Sequence, residues 1–178
     1  MNVHGTERQQ LILVSPSDEI VGFSPKLEAH LNGGALHRAF SVFIFNARGE
    51  MLLQQRAASK YHFACLWSNA CCSHPLRGQD TPDAALARLQ FEFGFQTPLE
   101  KVCNFVYRAP DVASGLTEHE FDHVFRGEFN GEPRPNPDEI GDWKWIDIAD
   151  LRADLQAHPQ HYTPWFQIVL EEVLRAQG

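Results

Sequence analysis

Apolar positions along the chain change rhythm from segment to segment, and each rhythm predicts an element. "QLILVS" and "EIVGFS" flank the polar turn "PSDE" and read as an N-terminal hairpin. In "PKLEAHLNGGALH" the Asn-Gly-Gly breaks any helix and leaves a loop that carries His30 and His37. "RAFSVFIFN" and "EMLLQQRA" are apolar, rich in strand formers and joined by "ARG", which predicts a second hairpin. "ASKYHFACLWSNACCSHPL" is partly extended and irregular, and "DTPDAALARLQFEFGF" is a helix. Asp80 or Thr81 caps it, Pro82 suits its first turn, Ala85, Leu86, Leu89 and Phe93 form its apolar stripe, and Gly94 stops it. "KVCNFVYRAP" and "EHEFDHVFRGEFN" read as strands around the loop "DVASGLT". The Pro-rich "GEPRPNPDEIGD" reads as a surface loop, "WKWIDI" as a short strand and "TPWFQIVLEEVLRA" as an amphipathic C-terminal helix. Strands mixed with helices make an α+β chain, an α/β sandwich, and 178 residues suit one domain over 1–178.

Charge narrows the partners. A formal net charge of -8 argues against a non-specific nucleic-acid binder, but a local cluster of Arg and Lys suffices to hold a diphosphate. The N-terminal "MNVHGTERQQLILV" lacks the pattern of an export signal and no stretch approaches a membrane span, so the expectation is a soluble cytoplasmic protein, a monomer or a homodimer. Cys65, Cys71, Cys72 and Cys103 are then reduced thiols. Neighbouring Cys71 and Cys72 are poorly placed to bond to each other, and no paired spacing suggests a structural zinc site.

Candidate chemistry follows from strand geometry. Alternate side chains share a face, so in an extended "CCSH" Cys72 and His74 point together while Cys71 faces away; in "TEHEF" the same rule puts Glu118 and Glu120 on one face. Carboxylates two apart also make an ordinary solvated strand face, and the local sequence leaves both readings open. With His30 and His37 nearby in a glycine-rich bend, His30, His37, His74, Glu118 and Glu120 would form a mixed nitrogen and oxygen site for one divalent cation, where imidazoles favour Zn, Mn or Fe over Mg.

The segment "SHPLRGQDTPDAALARLQFEFGF" resembles a Nudix box, a loop-helix-loop whose acids hold metal against a diphosphate. Set in register on Gly94, its leading glycine falls on Ser73, its first glutamate on Gln79, its arginine and glutamate on Ala87 and Arg88, and its paired glutamates on Phe91 and Glu92. One surviving box carboxylate can anchor a Mg-diphosphate but is poorly equipped to activate water. "ALHRAFSVFIFNARGEMLLQQRAASK", "LWSNACCSHPL", "TEHEF" and "YTPWF", in this order and spacing, closely resemble the type 1 isopentenyl-diphosphate Δ-isomerase family, whose Nudix-like fold is a mixed sheet flanked by helices.

The resemblance implies a reaction that moves a double bond by protonating one carbon and deprotonating another through a cation-like state. It implies Cys72 and Glu120 as catalytic residues, with Tyr107 bonded to the glutamate and Trp165 facing the cation. It places a transition metal, Mn2+ or Zn2+, on His30, His37, His74, Glu118 and Glu120, and a Mg2+ with the substrate diphosphate on Glu92. Lys26, Arg56, Lys60 and Arg88 match positions that contact the diphosphate, Ser73 stands at the box glycine, and Trp67 would be a second wall. Rival readings are a pyrophosphohydrolase on a nucleotide or prenyl diphosphate, disfavoured by Gln79, Arg88 and Phe91, and a non-catalytic metal-binding domain of the same fold.

Overall fold

The computed structural model describes residues 10–60 and 62–176. The expectation of an N-terminus without an export signal rests largely on residues 1–9, which lie outside them. In chain order the elements are β1 (Gln10–Val14), β2 (Ile20–Pro25), α1 (Lys26–His30), β3 (His37–Phe45), β4 (Met51–Arg56), β5 (Trp67–Ser68) and β6 (Cys71–Ser73). They continue with α2 (Thr81–Phe93), β7 (Glu100–Asp111), β8 (Leu116–Glu128), β9 (Ile140–Ile146), α3 (Ile148–Ala157), a 3-10 turn (Pro159–His161) and α4 (Pro164–Arg175).

The central strand is β3, and its sequence says why. Its run of apolar residues is buried on both faces, as a strand with helices above and below requires. Phe43 and Phe45 pack with Trp165, Phe166, Val169, Leu170 and Val173 of α4, and Phe43 stacks on Phe166 at 6.0 Å between ring centroids. Phe40, Val42 and Ile44 pack with Ala85, Leu89 and Phe93 of α2. The α/β sandwich predicted from the element pattern is therefore the observed architecture. Asp80 caps α2 by accepting from the Asp83 amide at 3.3 Å, and Gly94 ends the helix at φ 73°. A Cβ on Gly94 would come within 3.0 Å of Arg134, so the stop position needs glycine for space and for dihedral. Leu89 is fully buried against the sheet; Leu89→Ala should lower unfolding stability by about 2–5 kcal/mol in denaturant titration.

Several expectations need correction. β3 and β4 share only the Phe45–Met51 pair and are not a laddered hairpin. The edges of β3 are already taken, by β8 in parallel over residues 37–45 and by β6 at 40–42, so β4 turns away to pair with β9 and β5. "KLEAH" forms one helical turn, α1, before the Asn-Gly-Gly bend. Leu116 and Thr117 belong to strand β8, and Leu86 is only half-buried. The helix α3 went unpredicted because only Leu151 of it is buried, leaving no apolar stripe; Asp147 caps it at 2.7 Å from the Ala149 amide. No helix among the described residues is long and apolar enough to cross a membrane.

Candidate active site

Register brings the polar residues together. Parallel pairing of β3 with β8 sets His37 opposite Glu120, and antiparallel pairing of β7 with β8 sets Tyr107 opposite Glu120. Tyr107, Glu120 and His37 thus form one row across three strands. Pairing of β6 with β3 sets Cys72 opposite Ser41. Because alternate residues share a face, Cys71 is buried with α2 while Cys72 looks into the cavity on the opposite side. That cavity has a volume of about 170 Å³ and is lined by Lys26, Arg56, Lys60, His62, Cys72, Ser73, His74, Arg88, Tyr107, Glu118, Glu120, Glu139 and Trp165.

The loop after α1 folds His30 back beside His37. Asn32, Gly33 and Gly34 all take positive φ, and a Cβ on Gly34 would stand 2.8 Å from the Thr117 carbonyl, so the close approach to β8 requires glycine. His30 donates its Nδ1–H to the Lys26 carbonyl at 2.6 Å, and His37 donates its Nδ1–H to the Ala35 carbonyl at 2.8 Å. A carbonyl can only accept, so both rings are left with Nε2 aimed inward. His30 Nε2 lies 3.0 Å from Glu118 Oε2; His37 Nε2 is buried without a hydrogen bond among the described residues, with Glu120 Oε1 at 3.6 Å. His74 Nε2 lies 2.7 Å from Glu120 Oε1.

One ligand atom from each of His30, His37, His74 and Glu118 falls within 4.8 Å of the others, and Glu120 adjoins them through His74 and His37. Inward lone pairs on imidazoles facing carboxylates repel unless positive charge lies between, and nitrogen with oxygen donors at this spacing suits a divalent cation. The residues fit a metal. Burial is the largest influence on His74 and drives its pKa well below the usual imidazole value, with neighbouring His37 adding to the effect, so it stays neutral, the form that ligates. Burial pushes Glu118 and Glu120 upward, and Glu120 also pushes Glu118 upward. Hydrogen bonds with His30 and His62 at Glu118, and the proximity of His37 and Tyr107 at Glu120, outweigh this and hold both carboxylates below their usual range.

Cys72 sits in a designed set of partners. Its thiol donates to Asn69 Oδ1 at 3.1 Å, and its sulfur accepts from Trp165 Nε1–H at 3.2 Å. Asn69 cannot flip, because its amide donates to the Val42 and Cys71 carbonyls at 3.1 and 2.9 Å. Burial, helped by nearby Asp122, pushes the thiol up to about 12, although hydrogen bonds with Ser41 and Asn69 pull the other way. β5 holds the start of α4 through Thr163 N–H to the Trp67 carbonyl at 2.9 Å, and so sets Trp165 over Cys72.

Basic residues rim the cavity, and Lys60, Arg88 and Arg56 each meet a counter-charge or carbonyl. Lys60 pairs with Glu139, and Arg88 pairs with Glu139 and with buried Glu92. Arg56 donates to the Phe63 and His62 carbonyls and lies 5.5 Å from the Trp165 ring centroid. Two residues expected around the substrate do not line the cavity. Trp67 does not line the cavity: its ring lies under Lys144 Nζ at 4.5 Å and packs against the core cluster that contains Trp165. Glu92 lies beneath the rim, bonded to Gln54 Nε2 at 2.7 Å. His62 and Glu139 went unread, since both sit in irregular segments where no periodic rule applies; the only signal was their nearness to Lys60 and to the acidic "PDE".

A curled mixed sheet between helices, with an acid-bearing helix beside a cation-rimmed cavity, defines a Nudix-type protein, and the NUDIX domain model matches residues 35–166. A crystal structure of DR0079 from Deinococcus radiodurans shares the fold at TM-score 0.68 and 18% identity, over 83% of this chain and 89% of that one. Within this group the chain belongs to the isopentenyl-diphosphate Δ-isomerase family. It is 48% identical over 165 residues to isopentenyl-diphosphate Delta-isomerase of Halorhodospira halophila, covering 92% of this chain and 94% of that one. It is likewise 48% identical over 169 residues to isopentenyl-diphosphate Delta-isomerase 2 of Aromatoleum aromaticum, covering 95% and 88%.

Proposed function

We propose that this enzyme converts isopentenyl diphosphate to dimethylallyl diphosphate, adding a proton at the terminal methylene and removing one from the carbon two bonds from the oxygen. The observation that carries the site assignment is that Cys72 and Glu120 border one cavity whose rim holds Lys26, Arg56, Lys60 and Arg88. The cations suit a diphosphate, and the two proton-carrying groups stand where its hydrocarbon tail would lie.

An alkene is a very weak base, so protonating it needs a fixed acid, exclusion of water and stabilisation of the cation. Cys72 keeps its proton at neutral pH, and Trp165 Nε1–H meets the sulfur as negative charge develops there. The Trp165 ring also supplies a π face for the cationic carbon. Glu120 holds or accepts the second proton, and Tyr107 donates to its Oε2 and keeps the carboxylate oriented. The two groups exchange roles when the reaction runs backwards.

His30, His37, His74, Glu118 and Glu120 would hold a divalent transition metal, Mn2+ or Zn2+. Bound there, the metal supplies fixed positive charge that anchors Glu120 and tunes its basicity. Glu92, which reaches the rim through its ion pair with Arg88, would serve a Mg2+ that arrives with the diphosphate, while Ser73 lines the cavity. We place the enzyme in the cytoplasm, where its four free cysteines stay reduced.

Incubating the purified protein with isopentenyl diphosphate should give dimethylallyl diphosphate with no phosphate or pyrophosphate released. Release of phosphate without the isomer would instead support the hydrolase reading.

A further inference from the structure

The cavity wall contains a fourth imidazole that the proposed metal set does not use. His62 lies in the segment between β4 and β5, is 5% exposed, and has its ring centroid 5.5 Å from that of His30. Its Nε2–H donates to Oε1 of Glu118, while the other oxygen, Oε2, faces His30 and His37. His62 stands outside the four residues whose ligand atoms converge within 4.8 Å.

The backbone around it is held from several sides. Arg56 Nη2 donates to the His62 carbonyl at 3.1 Å and Arg56 Nε to the Phe63 carbonyl at 3.0 Å. The Phe63 amide donates to Asp111 Oδ2 at 3.2 Å, and the Phe63 ring meets the Trp165 ring edge-on at 5.4 Å. Phe63 adopts φ 48°, a conformation that a bulky side chain keeps only when its surroundings impose it.

We infer that His62 is a positioning residue for the metal site: by holding Oε1 of Glu118 it presents a single oxygen, Oε2, to the three imidazoles. This rests on the metal reading above and extends it to a residue outside the ligand set. A carboxylate free to rotate can offer both oxygens, the mode that large oxygen-loving cations use, whereas a tethered one gives the single short contact suited to a compact nitrogen-rich site. Outer hydrogen bonds to ligands of this kind commonly govern affinity by about 10–100-fold.

The test is competitive titration of metal-free protein with Zn2+ and with Mn2+, backed by elemental analysis. Wild type, His62→Ala, His62→Phe, His62→Gln and His30→Ala are compared, and the thermal midpoint of each metal-free protein is recorded. His62→Ala and His62→Phe should bind both ions about 10–100-fold more weakly, and His62→Gln, whose amide can still donate to Glu118, should recover most of the loss. The phenylalanine variant retains the bulk of the ring and serves if the alanine variant does not fold. Wild-type affinity in the folded Ala or Phe variant overturns the inference while leaving the metal reading intact. A loss in His62→Gln as deep as that of His30→Ala also overturns it, since His62 would then be a ligand. Wild-type protein that takes up neither ion overturns the metal reading and this inference with it.

Discussion

Replacing Cys72 by alanine should lower kcat for isomerisation by about 10³-fold, within the range seen when a positioned acid or base is lost. KM should change little, because the diphosphate contacts proposed above fall to the rim cations and not to the thiol. Stability should also hold, since Cys72 is half-buried and its backbone is kept in place by pairing with Ser41 on β3. Cys71→Ala gives the opposite pattern. That side chain is fully buried among Ala85, Leu89 and Phe93, so the substitution costs stability and leaves the chemistry alone. Steady-state kinetics with thermal melts on the two variants separates the roles, and a Cys72→Ala enzyme with undiminished kcat would remove the thiol from the reaction.

Glu120→Gln should be more damaging still, with kcat falling by about 10⁴-fold, the upper end of the same range. Three interactions meet on this carboxylate. Oε2 accepts from Tyr107, and Oε1 lies 2.7 Å from His74 Nε2 and 3.6 Å from His37 Nε2. A glutamine keeps the shape but removes the negative charge, sets an N–H where a metal would need a lone pair, and cannot exchange the proton. Metal affinity should therefore drop together with kcat. Tyr107→Phe removes only the orienting hydrogen bond, so its kcat should fall less than that of Glu120→Gln and its metal content should stay full. Equal losses of kcat in the two variants would argue that the carboxylate acts only through Tyr107.

Local rules carried much of this molecule. α2 is written in Asp80, Pro82, the apolar stripe and Gly94, each acting within a few residues. The strand parity that separates Cys71 from Cys72 and aligns Glu118 with Glu120 is also local, and so are the glycines that let His30 approach His37. Illegible from pattern alone was the pairing of β3 in parallel with β8, more than seventy residues away, which sets His37 beside Glu120. Neither were His62 and Glu139 legible, since their irregular segments place side chains by tertiary contacts and have no period. Trp67, which the family resemblance offered as a second wall, is covered by Lys144 and packs against the core beside α4. The family resemblance supplied roles for residues where spacing alone left two readings open.

In the proposed reaction one cavity both delivers a proton to the substrate and removes another, with the His and Glu cluster holding the base in place. Incubation of the purified enzyme with isopentenyl diphosphate in deuterated water, with and without a strong chelator, tests it most directly. The product should be dimethylallyl diphosphate carrying deuterium in a methyl group, formed only without the chelator and restored when Mn2+ or Zn2+ is added back with Mg2+. Isomer that carries no deuterium, or isomer formed at full rate in the metal-stripped enzyme, would contradict it.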